Sequence, residues 1–529
     1  MIDGETQFFP LTLDRILDHA AKWTPNTEVV TAVEGGEVER IGYAALRSRS
    51  RRVSALLRRL GVRTGDRVAT LAWNTQAHVE VWYAIMGMGA VCHTLNVRLT
   101  EDQLAEMARR SQARILFASG DLAPLAERIA ALAPDIERIV VLDHQPADLA
   151  PGLDRLEDLL AETAPPAPGQ ALWGGFEETT PSGLCFTSGT TGAPKGVTYT
   201  HRSSFLHTLR LLQADVLGLT LGDSLLVAVP MFHANAWGLP FAAPAAGTKM
   251  VLPGRRLDGA SLAGLINAEG VTIAVGIATV WLGLVEHLEE HGGETPSLQR
   301  VVVGGAPLAP ALMARIERRL GAIVQTSWGM TELSPSGTFA PPGLASRSAQ
   351  VSGRPALGVD LLLTDAKGRP LAEQRGVEGY LRVRGAAVVQ RYFGETEPAV
   401  DADGWFDTGD LARIDADGQL TVTGRAKNLI KSGGEWINPA EIEALVAEHP
   451  KVSLAAVIGR PDPKWGERPV LVLQTHGSED VSDEALIALL QGKVASWWIP
   501  DAIIRVPQMP LAPTGKIDTM RLRVEHGGG

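Results

Sequence analysis

The densest run of residues able to do chemistry is Thr187–Gly196, TSGTTGAPKG, directly after the apolar stretch GLCF. Glycines at 189 and 192 and hydroxyls at 187, 188, 190 and 191 precede Lys195, and Gly196 comes after it. Glycine permits turns in which successive backbone N–H groups converge into a nest for phosphate oxygens. Hydroxyls and an ammonium group can add charge-assisted hydrogen bonds to the same anion. The order of residues departs from the P-loop pattern, because Pro194 precedes the lysine and Gly196 replaces the hydroxyl after it. Taken by composition alone, the same run would also suit a plain surface loop.

Further segments of this kind recur at intervals: VVGGAP around Gly304 and Gly305, SWGMTELSP at 327–335, GWFDTGD at 404–410, TGRAKNLIKSGGEWINPAEIE from Thr423, and PLAPTGKIDTMRLR around Lys516. Each is explicable singly as a turn, a cap or a solvated tail. Together, and in this order, they carry a resemblance: FTSGTTGAPKGV closely resembles the phosphate-binding signature of the acyl-adenylate-forming superfamily. That group includes acyl-CoA synthetases, peptide-synthetase adenylation domains and beetle luciferases, and this chain looks closest to its fatty-acid-activating members.

The resemblance assigns expected roles residue by residue. Thr187, Ser188, Gly189, Thr190, Thr191, Gly192 and Lys195 would hold the phosphates of ATP. Gly304, Gly305, Thr326 and Trp328 would border the adenine, and Thr331 the α-phosphate. Glu332 with Thr187 would ligate Mg2+, an ion that favours one or two protein oxygens beside substrate phosphates. Asp410 would accept from the ribose hydroxyls, as acids do in other nucleotide folds. Arg425 would reach ribose or phosphate, and Lys427 falls at the pivot of a hinge. Many relatives place Asp after the pivot where this chain has Asn428. Lys431 and Trp436 match positions near the nucleotide, and Gly433 and Gly434 would line the path of the coenzyme A pantetheine. Lys516 would contact the α-phosphate and acyl carboxylate, offsetting charge during adenylation.

The implied reaction is two-step: a carboxylate attacks the α-phosphate and releases pyrophosphate, then the thiol of coenzyme A displaces AMP. Both steps develop or expel negative charge, which accounts for the glycine loop, the magnesium and the lysines. The C-terminal domain is expected to swing about Lys427, bringing Lys516 for one step and Gly433–Gly434 for the other. VPMFHANAWGLPF and GIATVWLGL resemble the acyl pocket of fatty-acid-activating members, with His233 beside the reacting carboxyl and Trp237 gating or flooring the tunnel. Neither segment holds Arg or Lys, which favours an apolar acyl chain over a dicarboxylate. A medium- to long-chain fatty acid is therefore expected. A short thioether acid such as methylmercaptopropionate, an aryl acid, or the loading of a separate carrier protein are the alternatives. A carrier domain fused after Lys516 is not expected, and a non-catalytic nucleotide binder should have lost Lys516, Glu332 or the glycine loop.

These residues must be positioned by a large framework. The chain has 529 residues, 45% of them hydrophobic and 21% charged, enough to bury a core without disulfide or metal staples. Cys92 and Cys185 lie in apolar surroundings and are expected to be reduced thiols, in keeping with a cytoplasmic protein. A net charge of −11 argues against general nucleic-acid binding. No run approaches about 18 apolar residues, so no membrane span is expected, although peripheral membrane contact stays open. The start, MIDGETQFFP, carries acids where a signal peptide would carry bases. The resemblance also implies a homodimer.

Alternating helical and strand patterns predict layered α/β subdomains with mostly parallel sheets through about residue 340. Helix ALRSRSRRVSALLRRL is expected to end at Gly61, and AVGIATVWLGLVEHL to be a buried strand entering a helix. Residues 350–424 read as short strands and turns, a small β-rich subdomain. The expected division is 1–424 for the AMP- and acyl-binding domain, 425–431 for the hinge and 432–529 for a small mobile α+β domain.

Overall fold

The structure is a computed structural model that describes residues 4–33, 36–143, 152–163, 173–187, 194–343, 347–432, 435–476, 481–512 and 515–527. Short apolar, β-branched runs such as Arg300–Val303 and Ile273–Gly276 form strands buried on both faces, the signature of parallel sheets under helices. They assemble into a nine-stranded sheet whose centre is parallel: Ile323–Gly329, Arg300–Val303, Ile273–Gly276, Ser224–Val227, Lys249–Leu252 and Glu28–Ala32 lie side by side. A seven-stranded sheet takes Arg67–Leu71, Val91–Thr94, Ile115–Ala118 and Pro181–Phe186 in parallel and ends with Gly196–Thr200 antiparallel.

Helix Gln76–Gly87 is buried from His78 to Gly87, and its side chains join one core cluster with residues of both sheets. Its one buried acid, Glu80, is held by Arg49 at 2.6 Å, which makes a carboxyl tolerable there. Helix Tyr43–Arg59 stops where expected: Gly61 turns left-handed at φ 83° and donates to Arg58. The apolar run after Val271 divides into strand Ile273–Gly276 and helix Ala278–His291, as its composition predicts.

A four-stranded antiparallel sheet comes next, in the order Val359–Thr364, Glu378–Gly385, Phe406–Ile414, Leu420–Arg425. The last sheet is built from Ile430–Ser432, Glu435–Ile437, Val452–Asp462, Gly466–Thr475 and Ala502–Arg505, with helices Pro439–Val446, Asp483–Leu490 and Thr519–His526 around it. The fold is thus mixed α/β, a large N-terminal body followed by a small C-terminal one. Among the described residues no helix is long and apolar enough to cross a membrane. Cys92 and Cys185 are both free and buried.

Candidate functional site

Parallel strands deliver the residues beyond their carboxyl ends to one cleft, the usual place for ligands in open α/β sheets. After Ser224–Val227 come His233 and Trp237; after Ile273–Gly276 comes Ile277; after Arg300–Val303 come Gly304 and Gly305; within Ile323–Gly329 sits Trp328. Pro181–Phe186, from the second sheet, leads to Thr187.

The phosphate-type loop is closed at its base by backbone pairing. Thr187 N–H donates to the Lys195 carbonyl at 2.9 Å, and Lys195 N–H donates to Thr187 Oγ1 at 3.4 Å. Ser188, Gly189, Thr190, Thr191 and Gly192 lie outside the described residues. The Lys195 ammonium stands 4.7 Å from the centre of the Tyr392 ring, and the Tyr392 hydroxyl donates to Glu332 Oε1 at 2.9 Å. Tyr392 therefore ties the loop's lysine to the acid expected to hold metal. No spacing rule could have found it, since it lies 60 residues from Glu332. The hydroxyl of Tyr199 meanwhile donates to the Thr331 carbonyl at 2.8 Å, which fixes the turn carrying Thr331 and Glu332.

Trp328 is 8% exposed, and its ring lies against Gly337, where any β-carbon would collide with it. Its Nε1–H donates to Asp410 Oδ2 at 2.9 Å, while Arg425 Nε reaches Asp410 Oδ1 at 2.6 Å. Asp410 and Arg425 are direct cross-strand partners, so the sheet register itself presents the pair. Burial pushes the Asp410 carboxyl up in pKa, and Arg425, the indole N–H and Lys516 pull it back. The Thr326 hydroxyl donates to the Val351 carbonyl.

Lys516 comes from the far end of the chain. Ala512 N–H donates to the Lys516 carbonyl at 2.7 Å, and Leu511 pairs with Ile517, which fixes the backbone that carries Lys516. Gly515, at φ 79° in the left-handed region that favours glycine, packs against the tip of Ile277. Lys516 keeps contact with cleft solvent, yet lost hydration and the positive Arg425 lower its pKa, with Asp410 opposing. Its Cε lies 3.9 Å from where a β-carbon on Gly305 would stand.

His233 completes the group. Burial, then the charges of Lys516 and Arg98, push its pKa down to about 4, so the imidazole is neutral near pH 7. The chain beyond it is strained: Ala234, Asn235, Ala236 and Trp237 all take φ between 44° and 54°, which costs a non-glycine residue roughly 1–2 kcal/mol. Asn235 anchors this left-handed turn from within, accepting from Cys185 Sγ at 3.3 Å. The turn lays the Trp237 indole across the glycine pair, 3.0 Å from the β-carbon position of Gly304 and 3.6 Å from that of Gly305. Such strain concentrates at functional positions.

Lys431 and Trp436 stand elsewhere, on the hairpin of Ile430–Ser432 and Glu435–Ile437. There the Lys431 ammonium lies 5.6 Å from the ring of Trp436, which is 54% exposed. Gly433 and Gly434 lie outside the described residues. Lys427 is exposed in the short turn Ala426–Asn428, between strands Leu420–Arg425 and Ile430–Ser432. The structure therefore brings Lys516, His233, Trp237, Gly304, Gly305, Trp328, Asp410 and Arg425 together, with Thr187, Lys195 and Glu332 linked beside them through Tyr392.

A cleft with an acid–arginine pair, a glycine-rich loop and a lysine inserted from a second body can bind a nucleotide and act on its phosphate. Comparison with known proteins agrees. Residues 17–393 match the AMP-binding enzyme family and residues 441–516 its C-terminal domain. The chain is 40% identical to a 3-methylmercaptopropionyl-CoA ligase from Ruegeria lacuscaerulensis, over 99% of this chain and 98% of that one. It is 39% identical to a medium-chain-fatty-acid–CoA ligase from Ectopseudomonas oleovorans, over 99% and 97%. The crystal structure of ATP-bound MatB from Rhodopseudomonas palustris superposes with a TM-score of 0.85 at 25% identity, over 98% and 99%. By sequence and by fold alike, the chain belongs to the AMP-binding enzyme family.

Proposed function

We propose that this AMP-forming acid–thiol ligase joins a medium- to long-chain fatty acid to coenzyme A. It runs through an acyl-adenylate, with ATP and coenzyme A as co-substrates. The observation that carries the reading is Lys516 standing in the cleft beside Asp410, Arg425 and His233. A cation there faces the position where a carboxylate and an α-phosphate must meet, and it offsets the charge that builds as they combine. Neutral His233 serves as a hydrogen-bonding partner for the acid and adds no second cation. Asp410 and Arg425 hold the ribose end, and the indole of Trp328 backs the adenine.

Thr187 and Glu332 suit magnesium: a hydroxyl and a carboxylate whose Oε2 makes no hydrogen bond to a described residue. Bound there, the ion would neutralise charge on the departing pyrophosphate. Among the described residues no cluster of three or more His, Cys, Asp or Glu forms a cage, so such an ion would lean on substrate phosphates. Rotation about Lys427 would withdraw Lys516 and bring the 430–437 hairpin to the cleft for thioester formation, the step for which Gly433, Gly434, Lys431 and Trp436 are proposed. The domain division at 424 and the hinge at 425–431 belong to this proposal, as do a cytoplasmic setting and a homodimer.

A second acid has its own support. The Trp237 indole fills the space over Gly304 and Gly305, which shortens the cleft beside Lys516 and suits a small thioether acid. The Ruegeria relative points the same way. Pyrophosphate exchange with straight-chain acids of increasing length and with 3-(methylthio)propanoate separates the two. Peak exchange with longer chains supports the fatty-acid reading, and peak exchange with the thioether acid replaces it. Absence of exchange with every acid sinks both. Exchange without coenzyme A-dependent thioester would instead favour carrier loading.

A further inference from the structure

We propose that Arg110, remote from the residues assigned above, is a positioning residue that pins both stems of the phosphate loop. Arg110 lies in the last turn of helix Glu101–Ser111. Its Nη1 donates to the Pro194 carbonyl at 2.5 Å, and its guanidinium carbon sits 5.2 Å from the centre of the Phe186 ring. Phe186 immediately precedes Thr187, and Pro194 immediately precedes Lys195. One planar group thus touches the residue before each of the two that close the loop's base.

The chemistry favours arginine for this task. Holding Phe186 and Pro194 in place before ligand arrives lowers the ordering cost of binding phosphate between Thr187 and Lys195. The guanidinium can donate in its plane to a carbonyl while its flat face packs on an aromatic ring, whereas an ammonium is a compact point charge with no such face. Pro194 has no N–H and cannot anchor itself by donating, so an outside donor to its carbonyl is the available tether. The helix is itself held: Thr100 and Gln103 form a capping box at its start, and Arg67 Nε donates to the Ser111 carbonyl at 2.6 Å near its end. Among the described residues Arg110 pairs with no carboxylate, so its hydrogen bond and charge are both directed to the loop stems.

This inference rests on the adenylation reading, and the experiment separates the two. Wild type, Arg110→Ala and Arg110→Lys are compared in pyrophosphate exchange, in thioester formation from supplied acyl-adenylate, in ATP affinity by calorimetry and in Tm. Arg110→Ala is expected to raise KM and Kd for ATP about tenfold, the worth of one charge-assisted hydrogen bond. The KM for the acid and the rate from supplied adenylate should stay within about twofold, and Tm should hold. Arg110→Lys should recover part of the ATP affinity, by keeping a donor without the stacked plane. An unchanged ATP affinity, an equal loss in both half-reactions, or a loss that tracks a fall in Tm overturns the proposal. Should Arg110→Ala fail to fold, Arg110→Lys decides alone: wild-type ATP affinity would overturn the role. Absence of exchange in the wild type would remove the adenylation reading, and this inference with it.

Discussion

At the scale of single residues, Lys516 and His233 carry the sharpest consequences. Lys516 enters the cleft from the C-terminal body, so Lys516→Ala should lower adenylation by at least about a hundredfold, the scale of losing one preorganised charge-stabilising group. Thioester formation from supplied acyl-adenylate should survive, and loss of both steps would contradict the assignment. The same two groups set the pH profile. Lys516 has a lowered pKa, so it loses its charge as pH rises at a value below the ordinary 10.5. Adenylation should therefore fall on the alkaline side earlier than an unperturbed lysine would allow, and Lys516→Arg should move that limb upward. His233 stays neutral until about pH 4. On the acid side its protonation adds a charge that repels Lys516, so activity should hold down to about that value as far as this histidine is concerned. Rates measured across pH in wild type and in Lys516→Arg check both limbs.

At the scale of elements, the left-handed turn after His233 and the strand end at Gly304–Gly305 form one unit. Four consecutive non-glycine residues in that conformation are sustained by burial and by Asn235, and the result is the fixed placement of Trp237. Gly304→Ala would bring a methyl within 3.0 Å of the indole and into the hydroxyl of Ser327. The indole must shift, and an overpacked site of this kind costs about 1–3 kcal/mol. We expect a lowered Tm together with a changed chain-length preference in pyrophosphate exchange. A Tm change with an unaltered preference would show that Trp237 does not border the acid. The four-stranded sheet contributes differently. Its register places Asp410 opposite Arg425, so a one-residue slip of either strand would separate them and leave their side chains on opposite faces.

At the scale of the whole molecule, the two bodies also meet away from the cleft. His476, at the end of strand Gly466–Thr475, accepts from Arg315 Nη1 at 3.3 Å and faces Glu286 at 3.6 Å, and Arg315 is braced by Glu289 at 2.6 Å. Such partly exposed contacts contribute about 0.2–1 kcal/mol, too little to lock an orientation and enough to bias one. Arg315→Ala should therefore slow adenylation by about two- to fivefold while leaving thioester formation from supplied adenylate unchanged or faster. Equal slowing of both steps would show that the contact serves folding alone. The ratio of the two half-reaction rates is the measurement.

The amino-acid sequence by itself determined the chemistry. TSGTTGAPKG, GWFDTGD and the late Lys516 in fixed order carried the family, and continuous apolar runs with turn residues between them carried the layered sheets. Gly61 and the strand–helix division after Val271 were legible because caps and periodicity are local properties. What only the tertiary structure decided is which side chains meet. Asp410 lies between Trp328 and Arg425, Tyr392 bridges Lys195 and Glu332, Lys516 stands beside His233, and Arg110 holds both stems of a loop more than seventy residues away. These meetings depend on sheet order and on the docking of two bodies, which no local pattern encodes. The sequence therefore reads clearly as an acid-activating ligase, while its acid is a matter of shape.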